Sequence, residues 1–373
     1  MQEIKKRRIV IASVLKPVDD TRMFEKMGES LSPHYEVHII GFPTSSPERM
    51  TREIKIHPLP PFKRLSVQRV RAAWQALRII IGLEPDLLII TTHELLLPAM
   101  AAKGKLGCKV IYDVRENYRR NILYTNSFPT MIRPMLSGWV GVKEKLARTF
   151  IDHYLLAEKG YEREMKFPPK HVSVLENRIK HDNKPRAQKK FHHDSPVHLL
   201  FSGTISESTG VFGAVELAKA LHHLNNAVHL TIIGYCALPA TLDQLKITIT
   251  GRSFITLVGG DQLVPHSKIM DAIHAADFGI ICYPPNPATV NSIPTKLYEY
   301  LGSQLPILLI NHQPWVEICE PYPAAVVFDM VHFDAMKMMD EMISTRFYQT
   351  SPVGILWEGD KLLTVVNEVL NRS

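Results

Sequence analysis

The chain has 373 residues, 45% of them hydrophobic and 22% charged, and its formal net charge is +7. This length exceeds one ordinary core and this composition excludes disordered and fibrous proteins, so we expect a soluble globular protein of two domains. The positive charge favours an anionic partner. The basic residues are not interleaved with aromatic ones, and no nucleic-acid-binding motif is present, so we expect no nucleic acid among the partners.

The amino-terminal stretch MQEIKKRRIVIASV has a basic start and an apolar run, as a secretory leader does. The run is short, has the pattern of a strand and lacks a small-residue cleavage site, so we expect no export. Every apolar segment is shorter than the roughly 20 residues of a membrane-spanning helix. The four cysteines have neither disulfide nor metal spacing. These features predict a cytoplasmic protein with reduced thiols in its core.

Residues 1–180 alternate short β-branched runs with longer helical patterns, beginning with RRIVIASV, MFEKMGESLS and YEVHIIGF. Apolar strands separated by helices indicate a parallel sheet that is covered on both faces. The pair Asp19 and Asp20 has two interpretations, a metal-binding acid pair or an N-cap cluster at the start of the first helix. We favour the N-cap and predict no metal.

Residues 54–83 contain no acid and place Arg64, Arg71 and Arg78 on one helical face. A basic amphipathic helix of this kind is able to contact an anionic membrane surface. The alternative is a helix that packs on its own sheet and exposes its basic face to solvent. The pattern favours this second interpretation.

Residues 181–196 are polar and basic with few apolar anchors, which predicts a linker between two domains. The alternation of strands and helices then restarts and continues through residues 197–345, which predicts a second doubly wound domain. Such sheets bind ligands at the carboxyl ends of their strands, so we expect a cleft between the domains. Helical spacing of apolar residues in the tail, 346–373, predicts a helix that packs back on the amino-terminal domain.

No GxxxxGK[ST] or GxGxxG motif is present, which argues against a kinase and a standard dehydrogenase. The stretch LLFSGTISESTGVFG nonetheless runs from a strand through a loop of small residues into a helix. Its Gly203, Thr204 and Ser206 allow backbone N–H groups and hydroxyls to approach an anion at the helix start. The same residue types also form ordinary strand-to-helix turns.

A second such turn lies in NSIPTKLYEYLGSQLPIL, where Pro294 begins a helix. Lys296 adds a positive charge near the helix start. Glu299, one turn later, has the two carboxylate oxygens that would accept both hydroxyls of a ribose. Spacing alone favours a simpler interpretation, in which the two residues form an exposed ion pair three positions apart.

The run PTKLYEY, from Pro294 to Tyr300, followed by Pro306 at the start of an apolar strand, resembles a turn of GT-B glycosyltransferases of the GT4, or group 1, family. The segments EPDLLIITTHE, KVIYDVREN and HAADFGIICYPP also resemble family segments in family order. The resemblance implies an α/β protein of two tandem Rossmann-like doubly wound domains, the GT-B fold, with a nucleotide-sugar donor. It implies donor contacts at Gly203, Thr204, Ser206, Pro294, Thr295, Lys296, Leu297 and Glu299.

The chain departs from the family pattern at three places. Asn291 stands where the family has an acid that contacts the transferred sugar, and an amide brings hydrogen bonds but no charge. Two cations that the family often has in its glycine loop are absent. Arg115 stands where many relatives have a histidine, and an arginine stays protonated and does not act as a base. The resemblance still implies catalytic roles for Arg115, Glu116 and Asn291, and cleft positions for Asp20, Arg22 and Asn117.

The resemblance implies a retaining hexosyltransferase that needs no metal and no cofactor. It would move a sugar from a nucleotide-sugar donor to a glycan or lipid-linked acceptor in surface polysaccharide synthesis, as a cytoplasmic protein on the inner face of the membrane. Two alternatives stay open. One is a GT-B nucleotide-sugar 2-epimerase, against which the Lys-Leu-Tyr-Glu turn argues. The other is a nucleotide-sugar-binding protein without turnover, which Asn291 and the missing cations motivate.

Overall fold

The computed structural model describes residues 6–43, 53–60, 62, 66, 68–124, 128–164, 171–180, 189–287 and 292–372. The chain forms two compact units. The first unit contains the residues up to Lys180 together with those from Trp357 onward. The second unit contains the residues between them, up to Leu356. The predicted α/β class with two Rossmann-like doubly wound halves is confirmed, because each unit contains one parallel sheet with helices between its strands.

The first unit is built on a sheet whose strands are β1 (Arg8–Pro17), β2 (Glu36–Phe42), β3 (Ile54–Pro58), β4 (Leu87–Ile90), β5 (Lys109–Val114), β6 (His153–Leu156) and β7 (Val172–Val174). They are ordered β3-β2-β1-β4-β5-β6-β7. Its helices up to residue 180 are a π-helical turn (Thr21–Gly28) that continues as α1 (Glu29–Leu31), α2 (Gln68–Leu83), α3 (Leu96–Leu106), α4 (Tyr118–Tyr124), α5 (Arg133–Ala147) and α6 (Gly160–Glu164).

Successive residues of β1 point to opposite faces of the sheet, and both faces are covered. Ile9 and Ile11 pack with residues of the π-helical turn, whereas Val10 and Ala12 pack with residues of α2 and α3. All four side chains are fully buried. A strand that is buried on both faces is apolar throughout rather than alternating, which explains the sequence RIVIA.

Helix α2 packs on this sheet through small residues. Ala72, Ala76 and Ile80 lie in the core, while Arg71 and Arg78 are exposed. Helix α2 therefore packs on its own sheet and exposes Arg71 and Arg78, and Arg64 lies outside the described part of the chain. Within that part, we find no helix with the length and apolar character needed to cross a bilayer.

The second unit has a sheet of strands β8 (Val197–Thr204), β9 (Val228–Tyr235), β10 (Ile255–Gly260), β11 (Phe278–Ile281), β12 (Ile307–Ile310) and β13 (Ala325–Phe328). They are ordered β10-β9-β8-β11-β12-β13. Its helices are α7 (Val211–Leu224), α8 (Pro239–Ile249), α9 (His266–Ala275), α10 (Thr295–Gly302), α11 (Gln313–Cys319) and α12 (Ala335–Ser344). The strand order reverses between β8 and β11, and ligands of such sheets bind at this point, beyond the carboxyl ends of the strands.

Two segments, residues 189–196 and residues 346–356, pack on the second unit. In the predicted linker, of which residues 189–196 are described, Lys189 pairs with Asp277 and Phe191 packs on Phe278. Residues 346–356, which the sequence assigned to the tail, belong to this unit because Phe347 also packs on Phe278 and the Tyr348 hydroxyl donates to the Leu305 carbonyl.

The last helix, α13 (Gly359–Asn371), belongs to the first unit. Leu362, Val366 and Val369 are fully buried and share a core with Ile9 and Ile11 of β1. The apolar spacing seen in the sequence is thus the face by which the helix packs. The four cysteines of the chain are free and buried, as predicted.

Candidate functional site

The strand-order reversal of the second sheet brings the end of β8 next to the start of α10. Gly203, the penultimate residue of β8, has a φ of +92°, a left-handed conformation that favours glycine. The Cε atom of Lys296, in the first turn of α10, lies 3.8 Å from the position that a Cβ atom on Gly203 would occupy. Two residues predicted to contact the donor are therefore neighbours.

Lys296 is a buried cation. The residue is only 5% exposed, and its Nζ atom has no hydrogen-bond partner among the described residues. The Nζ atom lies over the ring of Phe201, 4.0 Å from its centroid, and 5.4 Å from the centroid of Tyr283. Burial lowers the pKa of Lys296 to about 8, although Cys282 and Glu299 act in the opposite direction. The amine is still protonated at neutral pH, and aromatic faces are the groups that stabilise its charge.

Glu299 lies one turn after Lys296 but bonds to another element. Its Oε1 atom is 3.0 Å from Nε2 of His266, the first residue of α9. The interpretation of Lys296 and Glu299 as an exposed ion pair is therefore wrong, because Lys296 is buried and its amine makes no hydrogen bond to the carboxylate. Glu299 keeps a partly exposed carboxylate, with 16% of its side chain accessible.

The other residues predicted for α10 differ in what they offer a ligand. Pro294 is the N-cap of the helix, and Thr295, its first residue, is exposed. Leu297 is fully buried, and its N–H donates to the Pro294 carbonyl at 2.9 Å. Leu297 thus packs the helix onto the core, and Thr295 is the exposed residue of the first turn.

In the loop after β8, the hydroxyl groups stabilise the turn itself. The Ser206 side chain caps the short helix Glu207–Thr209 by accepting from the Thr209 N–H at 3.2 Å. The Thr209 hydroxyl donates to the Thr204 carbonyl at 2.8 Å. Thr204 itself is exposed at the strand end. The Ser206 and Thr209 hydroxyls therefore hold the loop in shape.

The start of α7 requires glycine at position 210, because the backbone of Cys282 passes close to it. Gly210 has a φ of +82°, and a Cβ atom there would lie 2.0 Å from the carbonyl oxygen of Cys282, after β11. We expect Gly210→Ala to destabilise the second unit by several kcal/mol, because the strained φ costs about 1–2 kcal/mol and the clash moves backbone.

Gly251→Ala is the matched control for this prediction. Gly251 also has a positive φ, +77°, but no atom lies within 4 Å of its Cβ position. In urea unfolding, Gly251→Ala should lose only the stability that the positive φ costs, whereas Gly210→Ala should lose more because of the clash. An equal loss in both variants would contradict the close approach of Gly210 and Cys282.

In the first unit, Asp20 and Arg115 are brought together at the carboxyl ends of β1 and β5. Arg115 donates from Nη1 and Nη2 to the two carboxylate oxygens of Asp20, at 2.8 and 3.2 Å. Asp20 also caps the π-helical turn by accepting from the N–H groups of Arg22 and Met23, which confirms the N-cap interpretation. Burial alone would raise the pKa of Asp20, but Arg115 and Lys16 lower it to about 2.

Arg22, like Asp20 a predicted cleft residue, is fully buried and bound to Asp113 of β5. Its Nε and Nη2 atoms donate to the two carboxylate oxygens at 2.9 and 2.6 Å, and Nη2 also donates to the Leu175 carbonyl. With both side chains at 0% exposure, this pair joins the π-helical turn to the sheet.

Glu116 and Asn117 continue from Arg115 toward α4. Glu116 accepts from the side-chain amide of Asn121, and Asn117 donates to Glu164 at 3.0 Å while its Oδ1 atom caps α4. Asn117 also lines a cavity of about 550 Å³ between α4 and α5. Asn291, the remaining predicted catalytic residue, lies outside the described part of the chain.

Three residues of these networks were missed in the sequence. Asp113 carries a signal, since an acid inside the apolar strand KVIYDV requires a buried cation. Phe201 is indistinguishable there from any other core residue of β8. His266 meets Glu299 from 33 positions away in the chain, and no local pattern reports such a contact.

Comparison with known proteins bears on the fold. No protein-family model and no curated protein matches the chain. Among solved structures, it is similar to a glycosyltransferase from Rickettsia africae, with a TM-score of 0.65, 12% identity and coverage of 99% of this chain and 100% of the other. Sucrose-phosphate synthase from Thermosynechococcus elongatus gives a TM-score of 0.66 at 11% identity, covering 98% and 95%.

A third similar structure is that of HepE from Anabaena in complex with UDP and glucose. It has a TM-score of 0.65 and 13% identity, and the match covers 98% of this chain and 99% of HepE. Identities this low establish an architecture and not an activity. The chain therefore has the GT-B fold of these glycosyltransferases.

Proposed function

We propose that the protein transfers a sugar from a nucleotide-sugar donor to an acceptor hydroxyl, and that Lys296 binds the diphosphate of the donor. The observation that carries the proposal is the buried Lys296 amine, which has no hydrogen-bond partner among the described residues. A buried charge is costly unless a counter-charge accompanies it. A diphosphate supplies two such charges at the point of the sheet where ligands of this architecture bind.

The surroundings of Lys296 suit a departing diphosphate. Lys296 lies in the first turn of α10, where the helix dipole also favours negative charge. Gly203 has no side chain between the end of β8 and the lysine, which leaves that space to a ligand. We propose that these groups supply the positive charge that a metal supplies in other transferases, so that no resident metal is needed.

Glu299 is the proposed partner of the donor ribose. Its carboxylate is partly exposed one helical turn beyond Lys296, and His266 orients it from α9. A carboxylate that accepts two hydroxyl hydrogen bonds from one sugar is geometrically specific as well as strong. This assignment places the phosphates at the helix start and the nucleoside further along α10.

The acceptor is proposed to bind to the first unit. Asp20 and Arg115 form a fixed ion pair at the strand ends there, and Glu116 and Asn117 continue this surface toward the cavity beside α4. In the reaction that we propose, the sugar passes through an oxocarbenium-like state while Lys296 stabilises the leaving phosphate. The protein groups then act mainly by position and charge.

The finer parts of the proposal follow from the sequence resemblance. We propose a retaining hexosyltransferase of the GT4 type, in which Asn291 contacts the transferred sugar, and a glycan or lipid-linked acceptor used in surface polysaccharide synthesis. We also propose that the protein works in the cytoplasm as a peripheral protein of the inner membrane face. The net charge of +7 supports an anionic surface as a partner.

A thermal-shift panel of UDP, GDP, ADP, CMP and dTDP tests the donor site. A ligand at about 100 times its Kd stabilises the protein by about 2.7 kcal/mol, so the nucleotide that fits gives a clear shift. HepE is a structural neighbour crystallised with UDP, which makes UDP the first candidate. No shift with any of the five would contradict the donor site, and binding without turnover of any donor would favour the non-catalytic alternative.

Glu299→Gln tests the ribose contact. We expect the variant to lose roughly tenfold to a hundredfold in affinity for the nucleoside diphosphate, because hydrogen bonds to a charged group contribute about 1.5–3 kcal/mol each. Inorganic pyrophosphate, which has no ribose, is the control ligand, and calorimetry should show that its affinity is unchanged. An equal loss for both ligands would mean that Glu299 shapes the site and does not contact the ribose.

A further inference from the structure

We propose that the protein docks on an anionic lipid bilayer through an exposed apolar face of α5. This inference rests on the peripheral association proposed above and is independent of the transfer reaction. We call this face the α5 stripe. It consists of Met135, Trp139, Val142 and Leu146 on the helix, together with Met131 just before the helix and Phe150 just after it.

Four residues of the α5 stripe lie along one side of the helix, and Met131 and Phe150 flank its two ends. The members of the stripe follow one another at intervals of three or four residues, which is the spacing of side chains on one helical face. Met131 is 94% exposed, Met135 68% and Trp139 53%, and Val142, Leu146 and Phe150 are exposed as well. Single exposed apolar residues are ordinary, but a row of six marks a surface that binds something.

The opposite side of α5 already packs on the protein. Val140 and Ala147 are buried there, and the buried Lys143 amine lies 2.7 Å from Nδ1 of His93. The helix is therefore held in the first unit by one face while it presents a second apolar face to the outside. A core-facing side with such an outer stripe is typical of a helix that lies in a membrane interface.

Charge distinguishes a bilayer from a second copy of the chain. The segment 128–150 contains Arg133, Lys143, Lys145 and Arg148 but only one acid, Glu144. Lys145 and Arg148 are exposed beside the stripe. In a two-fold dimer the same basic surface would meet itself, whereas anionic headgroups would neutralise it and the tryptophan would lie at the interface between headgroups and acyl chains.

Vesicle co-sedimentation tests the stripe. The full chain should bind vesicles of phosphatidylcholine and phosphatidylglycerol, and bind weakly to phosphatidylcholine alone. In the double variant Trp139→Ser/Leu146→Ser we expect the partition coefficient to fall by roughly tenfold or more, since two large apolar side chains no longer enter the bilayer. Both residues are exposed, so the melting temperature and the nucleotide-induced thermal shift should be unchanged.

Trp74→Ser is the matched control, because Trp74 is a comparably exposed tryptophan on α2, the basic helix considered in the sequence. This variant should keep wild-type binding. Trp139→Phe adds a contact readout, since it should retain vesicle binding but lose the blue shift of tryptophan emission that accompanies binding.

Four outcomes would overturn the proposal. The wild-type protein does not bind the anionic vesicles, or the double variant binds them as the wild type does. Trp74→Ser loses binding while the double variant keeps it, or the wild type forms a concentration-dependent dimer that the double variant abolishes and neither protein binds vesicles. A protein that binds vesicles but no nucleotide would overturn the donor site and leave the α5 stripe supported.

Discussion

Replacing Lys296 by methionine is expected to stabilise the ligand-free protein and to abolish its response to nucleoside diphosphates. Burial lowers the pKa of Lys296 from 10.5 to about 8, which corresponds to a destabilisation on the order of 3 kcal/mol by the charged amine. Methionine has a similar length without the charge, and its sulfur packs well on an aromatic ring such as that of Phe201.

The pH dependence of this effect has a definite sign. The folded-state pKa lies below the unfolded one, so the cost of the charge is fully present below about pH 8 and disappears as the pH rises toward 10.5. The stability advantage of Lys296→Met over the wild type should therefore shrink across this interval. Diphosphate binding by the wild type should weaken in the same interval, because the amine loses its proton.

Chemical unfolding of both proteins at several pH values measures this difference, and calorimetry measures binding. Lys219→Met is the control, because Lys219 forms an exposed pair with Glu216 on α7 and such pairs contribute little. A Lys296→Met variant that is less stable than the wild type would show that the amine already has a favourable partner. A variant with unchanged diphosphate affinity would remove Lys296 from the donor site.

Asp113→Ala is expected to destabilise the first unit by roughly 3–5 kcal/mol, the usual cost of leaving one member of a buried ion pair alone. Arg22 and Asp113 are both completely buried, and the guanidinium donates to both carboxylate oxygens. Alanine would leave the guanidinium without its counter-charge in the core. Trp357 lies 5.5 Å from the Arg22 guanidinium, so its fluorescence reports unfolding of this unit.

The double variant Arg22→Met/Asp113→Leu separates the charge from the packing. Removing both charges together should recover most of the stability lost in Asp113→Ala, because buried pairs are often replaceable by apolar residues of similar volume. Glu216→Gln, on the exposed pair of α7, should change stability by less than about 1 kcal/mol. A double variant as unstable as Asp113→Ala would mean that the pair contributes through shape and not through charge.

The two sheets were predictable from sequence because burial on both faces leaves a clear trace. Strands such as β1 and β12 are apolar at every position, and helices must separate them for a parallel connection. The turn at Pro294 and Lys296 was also identified correctly as the start of a helix. These features depend on residues that are adjacent in the chain.

Spacing reports which residues share a helical face but not what covers that face. Lys296 and Glu299 are three positions apart, a spacing that suggested an exposed ion pair. In the structure Lys296 is buried over Phe201 and Glu299 bonds to His266, and the spacing is compatible with this arrangement as well. The α5 stripe illustrates the converse, since its apolar periodicity is the one that a core-facing helix has. Arg22 and Asp113 are 91 positions apart, and only the folded sheet brings them together.

The position of α13 reverses the order in which the two units become complete during synthesis. Residues 1–180 leave the ribosome first, yet Ile9 and Ile11 lack the side chains of Leu362 and Val366 until the last helix has been made. Everything that the second sheet needs has been translated by then. Until then, the part of the first sheet that α13 covers stays exposed while the second half of the chain folds. During that interval the first half depends on whatever protects exposed apolar surface in the cell.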